Sequence, residues 1–157
     1  MTVPVRAPES YQQWLELLQY LQEHPGDSAA CSLVSQGAVA VSSSEAFKVR
    51  LSETVSIMLS YHCTRFLKQL DAALENGEPD MAPLLAQRFR RSIQRCLIYR
   101  DMPFLEPEFT EKLDTGYKAQ LCGFWETVLK QLKVMIREND NPVLEDLIRE
   151  LRRIHIL

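Results

Sequence analysis

A stretch of eleven residues without a single charge, set inside a long helical segment, constrains the fold of this chain most. No Asp, Glu, Lys or Arg occurs from Thr54 to Thr64, and the stretch covers about three turns of helix. Through the same segment one stripe recurs at helical spacing, consisting of Phe47, Leu51, Val55, Met58, His62, Phe66 and Leu70. A helix without charge on any side is usually buried on all sides. We therefore predict a central, buried helix over about residues 43–76.

Five other segments show helical spacing, and breaker residues separate them. They cover about residues 9–24, 28–36, 80–99, 107–139 and 141–157. The chain has 5 glycines in 157 residues, which favours helices because all-β domains need many turn residues. We predict an all-α fold: a bundle of about six helices in one domain over residues 1–157, with a flexible N-terminus at 1–8. The two long helices, about 43–76 and 107–139, are predicted to be of the antiparallel type that short connections favour.

The ends of several helices carry signals of their own. Ser42 and Glu45 have the S-x-x-E spacing of a capping box, and Asp27 is placed to cap a short second helix. Gly77 stands where a C-terminal cap belongs, and Pro107 suits the first turn of a helix. These signals predict long helices with definite ends.

Charge and cysteine spacing narrow the class of protein. The formal net charge is −3, whereas a protein that coats nucleic acid usually has a strong positive balance. The N-terminal residues lack the apolar run of a signal peptide, and no run of 18 apolar residues indicates a membrane span. The 4 cysteines lie far apart without a CxxC pair, so we expect reduced thiols. The sequence thus predicts a cytoplasmic protein that does not contact a membrane.

The sequence patterns of the common enzyme classes do not occur in this chain. It has no phosphate-binding loop of the GxxxxGKS/T or GxGxxG type, no HExxH or Glu-x-x-His metal pattern, and no GxSxG nucleophile elbow. We therefore expect a protein without enzyme activity, cofactor or metal ion.

The fourth helical segment carries a cluster of arginines: Arg88, Arg90, Arg91, Arg95 and Arg100, with no acidic residue between Gln87 and Arg100. Arg88, Arg91 and Arg95 share a helix face at i, i+3 and i+7. Such a face is able to bind phosphate, nucleic acid or an acidic partner. Alternatively, it is a solvated face whose arginines pair with acids of neighbouring helices.

Two strips of small residues form a second candidate feature. Gly116, Ala119 and Gly123 share one face of the fifth segment, and Ser52, Ser56 and Ser60 share a face of the third. Glycine inside a helix costs about 1 kcal/mol relative to alanine, which suggests that another helix approaches closely. We hypothesise that the strips face each other within one chain or across a dimer; the alternative is that the glycines mark a kink.

His62, on the inward stripe of the uncharged helix, is the sharpest buried polar candidate. A buried imidazole serves as a ligand, a base or a pH-sensitive group, or it is a core residue satisfied by one hydrogen bond. The leading hypothesis for the whole chain is a non-enzymatic helical protein–protein interaction module (an adaptor, regulator or assembly subunit) that forms a homodimer. The alternatives are a nucleic-acid-associated regulator using the arginine face and a bundle that binds a small ligand near His62.

Overall fold

The computed structural model describes residues 6–37 and 44–139, together with residues 145, 146 and 149; of residues 79, 131, 132 and 134–139 it describes the backbone alone. Five α-helices lie in this part: α1 Tyr11–Glu23, α2 Ser28–Val34, α3 Glu45–Glu75, α4 Ala82–Arg95 and α5 Pro107–Asn139. Two 3₁₀ turns, Pro79–Met81 and Ile98–Asp101, flank α4. No strand occurs among the described residues, which confirms the all-α class. No helix in the described part is long and apolar enough to cross a bilayer.

The predicted sixth helix falls largely outside the described residues. Three of its residues are described, Glu145, Asp146 and Arg149, and all three are helical. Arg149 Nη1 lies 3.5 Å from Asp146 Oδ1. The predicted count of six helices therefore stays a prediction. Of the predicted flexible N-terminus, residues 1–5 lie outside the described residues, whereas Pro8 is buried.

Side-chain caps fix where the first three helices begin. The Ser10 hydroxyl accepts from the Gln13 amide at 3.2 Å, and the Asp27 carboxylate accepts from the Ala30 amide at 3.1 Å. Helix α3 is capped by Ser44, whose hydroxyl accepts from the Phe47 amide at 3.2 Å. The predicted cap at Ser42, which lies outside the described residues, was wrong by two positions. Each serine of the run has suitable chemistry, and the hydroxyl of Ser44 also forms a hydrogen bond with the Tyr11 hydroxyl, at 2.9 Å.

The C-terminus of α3 ends as the sequence predicts. Gly77 has a φ of 70°, a left-handed conformation that glycine adopts without steric cost. The Glu78 amide donates to the Ala73 carbonyl at 2.8 Å, and the Gly77 amide donates to the Leu74 carbonyl at 3.2 Å. These two bonds make a Schellman cap.

The chain forms two compact units, each built from two stretches of sequence. The first comprises Met1–Tyr61 and Gln94–Tyr117, and the second comprises His62–Ile93 and Lys118–Leu157. Residues of α3, α4 and α5 belong to both units. The prediction of one domain over residues 1–157 stays a prediction.

The core of the first unit is organised around Trp14. Its ring meets Phe47 edge-on, with centroids 6.3 Å apart, and Phe104 at 5.6 Å. Met102 and Leu105, on either side of Phe104, are buried. The apolar connector between α4 and α5 therefore packs into this core and closes it.

The core of the second unit is organised around Phe89 of α4. Its ring stacks on Phe66 with centroids 4.6 Å apart and meets Phe124 at 5.5 Å. Leu85 and Ile93 are buried on the same side of α4. Burial of this face leaves the opposite side of α4 to the solvent.

Helix α3 is buried along one side only. All seven residues of its predicted stripe, from Phe47 to Leu70, are buried. On the opposite side, however, Ser56, Ile57, Ser60, Tyr61 and Thr64 are exposed. Within the described chain the uncharged stretch is therefore covered on one side only, and hydroxyl groups on its other side hydrogen-bond to water without carrying a charge. That a second copy covers the other side stays a prediction.

Candidate functional site

The arginines of α4 lie on the side that faces away from the core. Arg88, Arg90, Arg91 and Arg95 are all exposed, whereas Phe89 and Ile93 between them are buried. Arg88 and Arg91 belong to the second unit and Arg95 to the first. The predicted cationic face is therefore accessible to a partner.

The described carboxylates do not neutralise this face. Arg100 lies 3.2 Å from Asp114 through Nη2 and Oδ1, and Asp114 also accepts from the buried Tyr99 hydroxyl at 2.5 Å. By contrast, none of Arg88, Arg90, Arg91 and Arg95 forms an ion pair with a carboxylate of the described residues. Arg100 is thus a structural residue, whereas the other four have no carboxylate partner among the residues that the structure describes.

Two apolar side chains extend the arginine face toward the N-terminus of α4. Met81 is 37% exposed and Leu84 is 41% exposed. Leu84 precedes Arg88 and Arg91 at helical spacing, so it lies on the same side of α4, and Met81 ends the 3₁₀ turn that leads into the helix. We did not predict from the sequence that these two residues are exposed. Helical spacing supplied one signal, because Leu84 and the adjacent, buried Leu85 cannot point to the same side of the helix.

A second candidate surface lies on α3 in the first unit, and we call it the α3 outer face. It consists of Val49, Ser56, Ile57, Ser60 and Tyr61. Val49 is 55% exposed and Ile57 39%. The Tyr61 ring lies over Gly26, where an added Cβ would stand 3.0 Å from the tyrosine oxygen. Glu53 is the one charged residue between Leu51 and Tyr61.

Both strips of small residues face the solvent. Gly116, Ala119 and Gly123 are exposed, as are Ser52, Ser56 and Ser60. A Cβ added at Gly116 or Gly123 would meet no atom of the described chain within 4 Å. The strips therefore do not meet each other within the part of the chain that the structure describes, and their meeting across a dimer stays a prediction.

A groove of about 430 Å³ lies between α3 and the start of α5 in the first unit. Its walls are formed by Glu45, Lys48, Val49, Ser52, Glu53, Glu106, Glu108, Phe109 and Lys112. Lys48 Nζ lies 3.5 Å from Glu106 Oε2 and 3.9 Å from Glu45 Oε1. The same ammonium stands 5.4 Å from the centre of the Phe109 ring. These contacts tie α3 to α5.

His62 is buried, at 7% exposure, as its place in the stripe predicts. The neighbouring Cys63 is buried too, and burial raises the pKa of its thiol to about 12. Cys63 is therefore a neutral thiol near pH 7 and a poor nucleophile or metal ligand. Within the described residues no three His, Cys, Asp or Glu side chains form a group that could hold a metal ion.

No known protein family matches this chain, no curated protein matches its sequence, and no solved structure matches its fold. Its function must therefore follow from its own surfaces. The two that stand out are the α3 outer face and the exposed side of α4.

Proposed function

We propose that this protein is a non-enzymatic helical interaction module that associates with a second copy of itself through the α3 outer face. The observation that carries the proposal is the exposure of Ile57 and Tyr61 on a helix that has no charge from Thr54 to Thr64. An exposed helix face usually carries charged residues. An exposed face without them suits contact with another protein.

The chemistry of the face favours a second copy as the partner. In a two-fold dimer the same patch meets itself, and like charges placed against each other cost several kcal/mol. The part of the α3 outer face from Ser56 to Tyr61 escapes this cost because no charged residue occurs from Thr54 to Thr64. Ser56 and Ser60 are small enough to let another helix approach closely.

The proposal of a non-enzymatic role is supported by the sequence and by one side chain. The phosphate-binding, zinc-protease and nucleophile-elbow patterns are absent from the sequence. Cys63, which adjoins the buried His62, is held neutral by burial. Association is therefore the better proposal.

The test compares the mass in solution of two single variants. Ile57→Glu places a charge on the α3 outer face, whereas Leu84→Glu places one at an equally exposed leucine of α4. By light scattering after size exclusion, we expect a dimer for the native chain and for Leu84→Glu, and a monomer for Ile57→Glu. A native chain that stays monomeric at the highest soluble concentration would refute the proposal.

The nucleic-acid alternative is favoured by one observation, the four α4 arginines without a described carboxylate partner. A salt-dependent gel shift that is lost when Arg88, Arg91 and Arg95 become alanine would support it. The alternative of a small-ligand site near His62 has less support, because a buried histidine in a helical core is equally well explained as a structural residue.

A further inference from the structure

We infer that the outward side of α4 in the second unit is a docking surface for a short acidic and amphipathic protein segment. This surface, the α4 stripe, consists of Leu84, Arg88 and Arg91 of α4 and of Met81, the last residue of the 3₁₀ turn that leads directly into α4, at successive intervals of three, four and three residues. Side chains at this spacing lie on one side of a helix. The stripe is about 15 Å long, apolar at its N-terminal end and cationic at its C-terminal end.

The stripe is not needed for the core of its own unit. The opposite side of α4 is filled by Leu85, Phe89 and Ile93, and Phe89 already stacks on Phe66. Met81 and Leu84 are the large apolar side chains that the second unit exposes among its described residues. Leu84 lies in the first turn of α4 and Met81 directly precedes that helix, on the N-terminal side of the two arginines.

The two arginines lack a partner of opposite charge within the described residues. From Met81 to Arg100 the sequence has no Asp or Glu, so the neighbouring turns of α4 cannot neutralise them. A guanidinium group presents a planar fork of donors that fits a carboxylate through two hydrogen bonds. Arg88 and Arg91 therefore suit two carboxylates placed one helical turn apart.

The apolar end of the stripe decides between classes of partner. Nucleic acid would contact the arginines through phosphates but would leave Met81 and Leu84 without apolar contacts. A membrane-surface helix must insert a broad apolar face, and that face of α4 is buried in the unit. A protein segment with carboxylates at one end and apolar side chains at the other matches both halves, and methionine adapts readily to such a contact.

The test measures binding of synthetic peptides to the full chain by fluorescence anisotropy at low salt. Two helical peptides of about 16 residues carry two leucines and two glutamates at i, i+3, i+7 and i+10, one with the leucines first and one in the reverse order. A third has the same composition in scrambled order. We expect at least one ordered peptide to bind about tenfold more tightly than the scrambled one.

Variants of the chain separate the two halves of the stripe. The double change Arg88→Glu and Arg91→Glu should weaken binding by at least about tenfold. The control Arg90→Glu makes the same change on an exposed arginine of α4 that lies off the stripe, and it should weaken binding by less than about threefold. Leu84→Ser should weaken binding about fivefold and leave its salt dependence unchanged.

Several results would overturn the inference. Equal binding of the ordered and scrambled peptides would reduce it to unspecific charge attraction, and an unaffected Leu84→Ser variant would remove its apolar half. Tighter binding of a DNA duplex or of vesicles with anionic lipid, lost in the double arginine variant, would assign the stripe to those partners instead. No binding of any probe at low salt would reject it. The mass of the Ile57→Glu variant tests the α3 outer face separately.

Discussion

Gly37 illustrates how one missing side chain shapes the first unit. A Cβ added there would overlap the six-membered ring of Trp14, and that ring is held between Phe47 and Phe104. We expect Gly37→Ala to lower the free energy of unfolding by about 1–3 kcal/mol, the usual cost of overpacking a core. Urea denaturation monitored by circular dichroism measures this change.

Gly116→Ala is the matched control for that prediction. An added Cβ meets no described atom within 4 Å, and alanine is favoured over glycine inside a helix by about 1 kcal/mol. Gly116→Ala should therefore raise the free energy of unfolding. If both variants lose stability alike, the crowding at Gly37 is not the cause of its effect.

Asp27 gives the protein a stability that depends on pH. It caps α2, and its carboxylate accepts from the Tyr20 hydroxyl at 2.7 Å. That hydrogen bond, together with the one that the Ala30 amide donates, holds the pKa of Asp27 below its usual range. A lowered pKa in the folded state means that the contribution is complete above about pH 5 and is lost as the pH falls below about 4.

Asp27→Asn keeps a capping side chain and removes the charge. We expect this variant to be less stable than the native chain at neutral pH, with a difference that shrinks toward pH 3. Melting temperatures measured across that range provide the comparison. A difference that is constant with pH would show that the charge of Asp27 contributes nothing.

Between elements, the hydroxyl of Tyr99 joins the 3₁₀ turn after α4 to α5. The side chain is fully buried and donates to Asp114 at 2.5 Å. Burial raises the pKa of Tyr99, and the hydrogen bond to Asp114 raises it further, so the hydroxyl stays protonated. Tyr99→Phe should cost about 1–2 kcal/mol of unfolding free energy.

Tyr11→Phe is the natural comparison for Tyr99→Phe. It removes an exposed bond between two hydroxyls, at 2.9 Å, where water replaces the lost partner. We expect its effect on denaturant midpoints to be clearly smaller. Equal losses of stability in the two variants would indicate that Arg100 and water satisfy the Asp114 carboxylate as well as the Tyr99 hydroxyl does.

The sequence predicted the helices better than it predicted their surroundings. The buried stripe of α3, its Gly77 cap and the start of α5 at Pro107 follow from spacing and backbone chemistry, which act locally. The N-cap could not be selected among Ser42, Ser43 and Ser44, because a distant residue, Tyr11, bonds one of them.

The exposed surfaces were harder to predict for a related reason. Absence of charge on α3 indicates burial, yet the described chain covers that helix on one side only, and the hydroxyls of serine, threonine and tyrosine hydrogen-bond to water without a charge. The arginines of α4 were visible in the sequence, but Leu84, and Met81 in the 3₁₀ turn before α4, resembled core residues until the burial of Leu85 fixed the phase of the helix.

At the scale of the whole molecule, the chain path interleaves the two units. Each takes two stretches of sequence that alternate along the chain. We therefore expect no single cut to release one unit intact. The variants proposed above must therefore be made in the full chain. If the α3 outer face joins two copies, the melting temperature should rise with protein concentration.

The interleaved path also has a consequence for synthesis on the ribosome. Trp14 and Phe47 emerge early, whereas Phe104, which packs against both rings, belongs to the stretch Gln94–Tyr117. At translation rates of about 5–20 residues per second, roughly two to ten seconds pass between the synthesis of the first stretch and that of the stretch that contains Phe104. During that interval Trp14 and Phe47 lack the third aromatic ring of their cluster, so the core of the first unit cannot be completed before its second stretch has been made.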